Sequence, residues 1–445
     1  MNEGAQSGGG YGRSVLVSVA TVATMSAMAL ANNVAIARLA GPEARGLYGV
    51  VVAIGALAVP AASMGLGPAA TWQLGKRADS EPAQLGRVVA HLRRVVLLSL
   101  ALGMGLGALA LGVRSFAPSP THATLLAIGC AALTLPAQVT NELGRGVALG
   151  RRRALTYNLL AVAVLAGLLS LNLLTAQRGP AQVLVNLGVA NWIVALAVMV
   201  RGSSLARAPE KEEDPGPLDA LRAYGARATL VALGDAALLR ADYLLAAPII
   251  GLTKLGIYAI ADQISHLMAM VGLLAGKMML PESAADSEGG RSLAKLGLAC
   301  RLLVLALSLG SLVAIAVGPW LIPALFGPEF APAYAAMLIL LPAALLKGLS
   351  ALISTWLAGR GVQRPTVRAG ALALGAQALG VVALGLSLGW LGVAIAKTLG
   401  YLVQFVAVLR ALERHRPGAA ASLGWRPRLD DLRALSRWLA ARLGR

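Results

Sequence analysis

"GPEARGLYGVVVAI" occupies residues 41–54, and "GLTKLGIYAIADQI" occupies residues 251–264. Each reads glycine, four residues, glycine, an aliphatic residue, tyrosine, then an apolar run. The copies lie 210 residues apart, close to half of the 445-residue chain. A phrase that recurs at this spacing implies two related halves. What surrounds it sets the kind of fold.

The surroundings are apolar. Hydrophobic residues make up 57% of the chain and charged residues only 13%, with a mean hydropathy of +0.72. A soluble protein carries about a quarter charged residues, so this composition belongs to the membrane class. A helix needs ~20 apolar residues to cross ~30 Å of hydrocarbon. That rule predicts twelve spans: 14–37, 47–72, 89–113, 122–148, 154–176 and 181–201, then 219–248, 253–280, 293–317, 334–358, 364–388 and 390–411. No alternating segments compete with them, as a β-barrel would require. The first apolar run ends in A-x-A-like sites but is longer than a signal h-region, so it reads as a retained span.

The formal charge of +19 would suggest nucleic acid in a soluble protein. Here the loops account for it. One set of connections holds Lys76, Arg77, Arg87, Arg93 and Arg94, then Arg151 to Arg153, Arg207, Lys211, Arg291, Lys295, Arg360, Arg364 and Arg368. The alternate set holds only Arg38, Arg45, Arg114, Arg178 and Lys254. The positive-inside rule then puts the first set and both termini in the cytoplasm, with no nucleic-acid partner. The stretch "GSSLARAPEKEEDPGP" is a polar linker by composition. The expected organisation is a six-helix lobe over 1–201, a linker over 202–217, a second six-helix lobe over 218–412, and a basic tail over 413–445. In the tail, Leu432, Leu435, Trp438 and Leu439 recur at helical spacing between arginines, which fits either an amphipathic helix on an anionic leaflet or a solvated helix. Six spans per half give both copies of the phrase the same orientation, a parallel repeat about the membrane normal. Its tyrosines, Tyr48 and Tyr258, suit the half-wet interface.

Ionisable groups in a bilayer centre cost at least ~2.5 kcal/mol each, so each needs a role. Lys347 and Lys397 lie deep in their spans, where cations would attract a phosphate or pyrophosphate. In the seventh span Arg227, Asp235 and Asp242 share a face, whereas Arg240 points nearly opposite to Asp242 at ~100° per residue. Asp262 and His266 are four apart on one face and read as either a proton relay or a structural hydrogen bond. The first half offers Asn32, Asn33 and Arg38, then Gln138, Asn141, Glu142 and Arg145. Arg145, Arg222 and Lys277 lie near helix ends, where long side chains snorkel.

Other chemistries lack their residues. Cys130 and Cys300 sit apart in apolar runs, and four scattered histidines form no metal cluster. "GLLAGKMM" lacks the spacing and hydroxyl of a phosphate-binding loop. No Ser/His/Asp or Cys/His grouping stands out. These residues describe a pathway, with no cofactor, no metal and no catalytic group.

The segment "IARLAGPEARGLYGVVVAIGALAVPAASMGLGPAATWQLGK" (36–76) resembles the first two spans of Wzx-type polysaccharide flippases, in the multidrug/oligosaccharidyl-lipid/polysaccharide (MOP) exporter superfamily. Their pattern is an apolar helix, "LGPE", a glycine, "LY", and a second helix ending in a "GLG" turn. "LRADYLLAAPIIGLTKLGIYAIADQI" (239–264) resembles the seventh-to-eighth span signature, with its aspartate at Asp242. "LFGPEFAPAYAAMLILLPAALLKGLSALISTWLAGRG" (325–361) and "GWLGVAIAKTLGYLVQFVAVLR" (389–410) resemble the ninth-to-tenth region and the last span. The resemblance implies two six-helix lobes around a central cavity in the bacterial inner membrane. It also implies alternating-access transport of undecaprenyl-pyrophosphate-linked oligosaccharides for O-antigen, capsule or exopolysaccharide. The implied partners are that lipid-linked substrate, membrane lipids and other polysaccharide assembly proteins. Candidate substrate-binding cations are Lys347, Lys397, Arg38, Arg227 and Arg240, and candidate coupling residues are Asp235, Asp242, Asp262 and His266. Two positions depart from the family pattern: Arg45, usually aromatic or small, and Lys397, usually small or hydroxylated. A lipid II flippase of this superfamily generally carries fourteen spans, and a drug/cation antiporter a more acidic cavity. A polysaccharide polymerase or ligase would carry a long periplasmic loop with Arg and His. Each is a weaker match to this chain.

Overall fold

The computed structural model describes residues 7–76, 92–105, 107–108, 119–151, 153–205, 216–286 and 290–424. Parts of the expected third span and of the linker over 202–217, and most of the tail over 413–445, lie outside the described residues. Among those described, everything regular is helical. In chain order the helices are α1 (Ser7–Ser63), α2 (Leu66–Lys76), α3 (92–105), α4 (Ser119–Gly150), α5 (Ala154–Thr175), α6 (Pro180–Leu205), α7 (Gly216–Ile250), α8 (Leu252–Ala285), α9 (Gly290–Phe326), α10 (Ala333–Gly359), α11 (Arg364–Leu388), α12 (Trp390–His415) and the short α13 (Ala419–Ser422). Eight runs among the described residues are long and apolar enough to cross a membrane. One of them, Ala23–Ser63, holds two helices joined at Gly41.

The repeated phrase marks the same device in both copies. Gly41 has φ 80° and ψ −176°, and Gly251 has φ 77° and ψ 163°. This region of backbone space is open essentially to glycine alone. It lets one helix end and the next begin at a single residue, leaving few backbone groups unpaired in an apolar setting. At Gly41 the following Pro42 adds a fixed φ at the first helical position and disfavours α-helical ψ at the glycine. Gly179, Gly327 and Gly389, in the other described connections of the charge-poor set, also have positive φ.

The expected span over 47–72 is broken. The helix after Gly41 ends at Ser63, Met64 and Gly65 both adopt positive φ, and α2 starts at Leu66. This is the "GLG" turn of the family pattern, now seen to interrupt an apolar run that the length rule reads as continuous. α9 exceeds its expected bounds of 293–317: at 37 residues it is about 55 Å long, well beyond the hydrocarbon thickness. α8 also overshoots, and Glu282 in its surplus end forms an ion pair with Lys295 near the start of α9.

The chain divides into two compact units, Met1–Ala236 and Ala237–Arg445. The division falls inside α7, whose first part packs within the first unit. There an added Cβ at Gly225 would stand 2.6 Å from the Met64 carbonyl oxygen, so the break in the second helix and α7 meet backbone to backbone. The first unit has a core of Leu66, Ala69, Ala70, Leu92, Val95, Val96, Val139 and Leu143, joining α2, α3 and α4. In the second unit α10 packs against α8, α9 and α12, burying Leu352, Ile353, Trp356 and Leu357. α8 and α10 cross at Gly272 and Gly348, where a Cβ on Gly272 would overlap the α10 backbone. Lipid supplies no hydrophobic drive between helices, so such small-residue crossings provide the packing.

Candidate functional site

The second unit holds a buried ionic cluster on α7, α8 and α12. Lys397 is 2% exposed, and its Nζ lies 2.9 Å from Asp242 Oδ2 and 2.7 Å from Asp262 Oδ1. It also donates to the Leu239 carbonyl at 3.2 Å. Three donors thus meet three acceptors, saturating the ammonium. Tyr258 Oη donates to Asp242 Oδ2 at 2.5 Å, and Tyr243 Oη donates to Asp262 Oδ2 at 2.9 Å. The two rings meet edge to face at 5.8 Å. Arg240 Nη1 lies 3.7 Å from Asp262 Oδ2, with its guanidinium over the Tyr243 ring. Two carboxylates therefore face two cations and the cluster is neutral. Such balance is what a group of charges needs when withdrawn from water. Asp242 stands nine residues before Gly251 and Lys397 eight after Gly389, which at 1.5 Å per residue is about 12–14 Å below the glycine turns, close to mid-bilayer.

The sequence grouped these residues differently. The helical wheel sets Arg240 and Asp242 on opposite faces, yet both reach the cluster, because the long arginine side chain returns to Asp262. Tyr258 is fully buried and hydrogen-bonded to Asp242, so it is no interfacial residue. The tyrosine of the second copy serves the cluster, which ties the opening phrase to the site. Asp262 has its oxygens on Lys397, Tyr243 and Arg240, and among the described residues no hydrogen bond joins it to His266, which is half-buried one turn on. Lys347 on α10 is half-buried and lies over the Tyr401 ring at 5.2 Å. Arg38, Arg227 and Asp235 belong to the first unit, where Arg38 and Asp235 are exposed.

The first unit has an uncharged counterpart that a search for ionisable groups misses. Asn172 on α5 donates to Asn32 Oδ1 on α1 at 2.8 Å, and Asn186 on α6 donates to Asn172 Oδ1 at 2.8 Å. Thr175 and Gln182 complete the chain of bonds around Asn186. Asn32 precedes Gly41 by nine residues, as Asp242 precedes Gly251, and stands 210 residues before it. Asn172 and Asn186 flank Gly179 at seven residues on either side. Amides inside otherwise apolar spans were the available signal. Each unit therefore carries a buried polar layer, of amides in the first and ions in the second.

The chain is similar to the solved structure of the lipid II flippase MurJ in an inward closed conformation, with a TM-score of 0.68, 11% identity, and 90% of this chain and 87% of that one covered. It is similar to an inward-facing multidrug resistance MATE family transporter of the MOP superfamily, with a TM-score of 0.66, 16% identity, and coverages of 88% and 95%. The comparison with curated proteins found no match. A family model for polysaccharide biosynthesis proteins matches residues 35–335. With that match over two thirds of the chain, the protein belongs to the polysaccharide biosynthesis protein family, and it shares the fold of MurJ and MATE, with the long apolar helices of a multi-pass membrane protein.

Proposed function

We propose that the protein translocates undecaprenyl-pyrophosphate-linked oligosaccharide repeat units across the bacterial inner membrane by alternating access, with both termini cytoplasmic and 1–201 and 218–412 as its two six-helix repeats. The family match over residues 35–335 carries this reading. A pyrophosphate cannot cross hydrocarbon unaided, so the protein must offer it cations along an aqueous path while the polyprenyl tail stays in lipid. Lys397 is committed to two carboxylates, whereas Arg240 keeps 25% side-chain exposure and Lys347 is half-buried over the Tyr401 ring. These two, with Arg38 and Arg227, are the proposed substrate cations. The sequence has no nucleotide-binding loop, so transport draws on an ion gradient, the membrane potential or consumption of product on the far side. Likeness to MurJ and MATE folds keeps lipid II and drug cations as alternative cargoes.

Depletion of the protein in its own cells tests the reading. Lipid-linked repeat units should accumulate in the cytoplasmic leaflet while cell-wall synthesis continues. Accumulation of lipid II instead would assign the alternative cargo.

A further inference from the structure

We infer that the ammonium of Lys397 fills a monovalent-cation site formed by Asp242, Asp262 and the Leu239 carbonyl, so that this chain carries as a side chain the counter-ion its carboxylate pair would otherwise take from solution. Three features support this. The three atoms around Nζ are all hard oxygens, at 2.7–3.2 Å and from two helices, α7 and α8. Oxygen sets of this kind suit alkali and alkaline-earth cations as well as an ammonium. The charge is matched to one elementary unit: Arg240 balances one of the two carboxylates, and a single monovalent cation balances the other. Finally, a further acceptor is left over. Asp242 is fully buried, and its Oδ1 has no hydrogen-bond partner, although Oδ2 serves both Lys397 and Tyr258. An ammonium has donors for three oxygens only, whereas a spherical ion can take a fourth ligand at the same place.

Lys397 enters the site from α12, so the counter-ion also links a third helix to the α7 and α8 pair. A free ion at the same point would leave that link open. The wild-type chain should accordingly be indifferent to alkali ions at this site, and removal of the lysine head should create a vacancy of one positive charge. The site lies within the second unit, and its occupancy does not depend on which cargo is carried.

The test is thermal unfolding of the purified full-length protein in NaCl, KCl or N-methylglucamine chloride at equal ionic strength. Wild type should unfold at the same temperature in all three. Lys397→Ala should unfold several degrees lower in N-methylglucamine, and NaCl or KCl should raise its midpoint in a saturable way. Lys397→Ala with Asp242→Asn removes one charge of each sign and should be indifferent to the salt again. Two results would overturn the inference: equal midpoints for Lys397→Ala in all three salts, or a saturable alkali-ion dependence already present in wild type. If Lys397→Ala cannot be recovered in any salt while the double variant folds, no free ion replaces the ammonium, and the inference also fails.

Discussion

Replacing Gly251 by alanine isolates the backbone device that the repeated phrase encodes. An ideal Cβ at Gly251 would meet no atom within 4 Å, so sterics with the rest of the protein contribute nothing. The whole penalty is conformational, since φ 77° with ψ 163° costs a side-chain-bearing residue ~1–3 kcal/mol. Gly375 is the matched control. It lies within α11, has equally open surroundings, and has a helical backbone, so Gly375→Ala should gain about 1 kcal/mol from helix propensity. One methyl group added at two uncrowded glycines thus changes stability in opposite directions, with a difference of roughly 2–4 kcal/mol. For a unit of this size each kcal/mol moves the midpoint by about 2–4 °C. Intrinsic tryptophan fluorescence during heating of the detergent-purified protein reads both variants. A Gly251→Ala midpoint at or above that of wild type would refute the claim that the helix junction depends on glycine-only backbone geometry.

Three further outcomes follow from the packing. Tyr258→Phe leaves Asp242 Oδ2 with Lys397 alone and should lower stability by about 1–3 kcal/mol, measured in the same unfolding assay. Gly272→Val forces a branched side chain against the α10 backbone and should destabilise by more than the ~1–3 kcal/mol typical of overpacking, visible as loss of monodisperse protein on size exclusion. Asn172→Ala removes the bonds to both Asn32 and Asn186, leaving Asn32 Oδ1 without its donor, and should cost ~2 kcal/mol, whereas Asn172→Gln should recover part of that loss in the same measurement.

The sequence made the membrane class, the helical fold and the two-fold phrase legible because each rests on composition, run length or spacing. α11 was read at its observed bounds, 364–388, since an arginine pair and Gly389 close an uninterrupted apolar run. The break at Met64 and Gly65 escaped the length rule, because apolarity continues through it, and only the "GLG" of the family pattern marked it. Arg240 was set on the far side of its helix because a wheel gives the direction of Cβ and not the reach of a guanidinium. Asp242, Asp262 and Lys397 stood out singly as buried charges, but their grouping depends on α12 packing beside α7 and α8, a contact 155 residues apart in sequence. Of the amide layer only Asn32 was singled out, and Asn172 and Asn186 stayed hidden for a simpler reason. Asparagine adds little to a charge census, yet in an apolar span it must find partners as surely as an ion does.

Flipping by the purified protein in proteoliposomes is the direct test of translocation. A fluorescent undecaprenyl-pyrophosphate-linked oligosaccharide is placed in both leaflets, and a membrane-impermeant quencher reports its crossing without ATP. Crossing should depend on the protein and fall severalfold in Lys347→Ala with Arg240→Ala while insertion is unchanged. Crossing no faster than in protein-free vesicles under pH gradients, sodium gradients and an imposed membrane potential, each tested in turn, or crossing only when ATP is supplied, would contradict it.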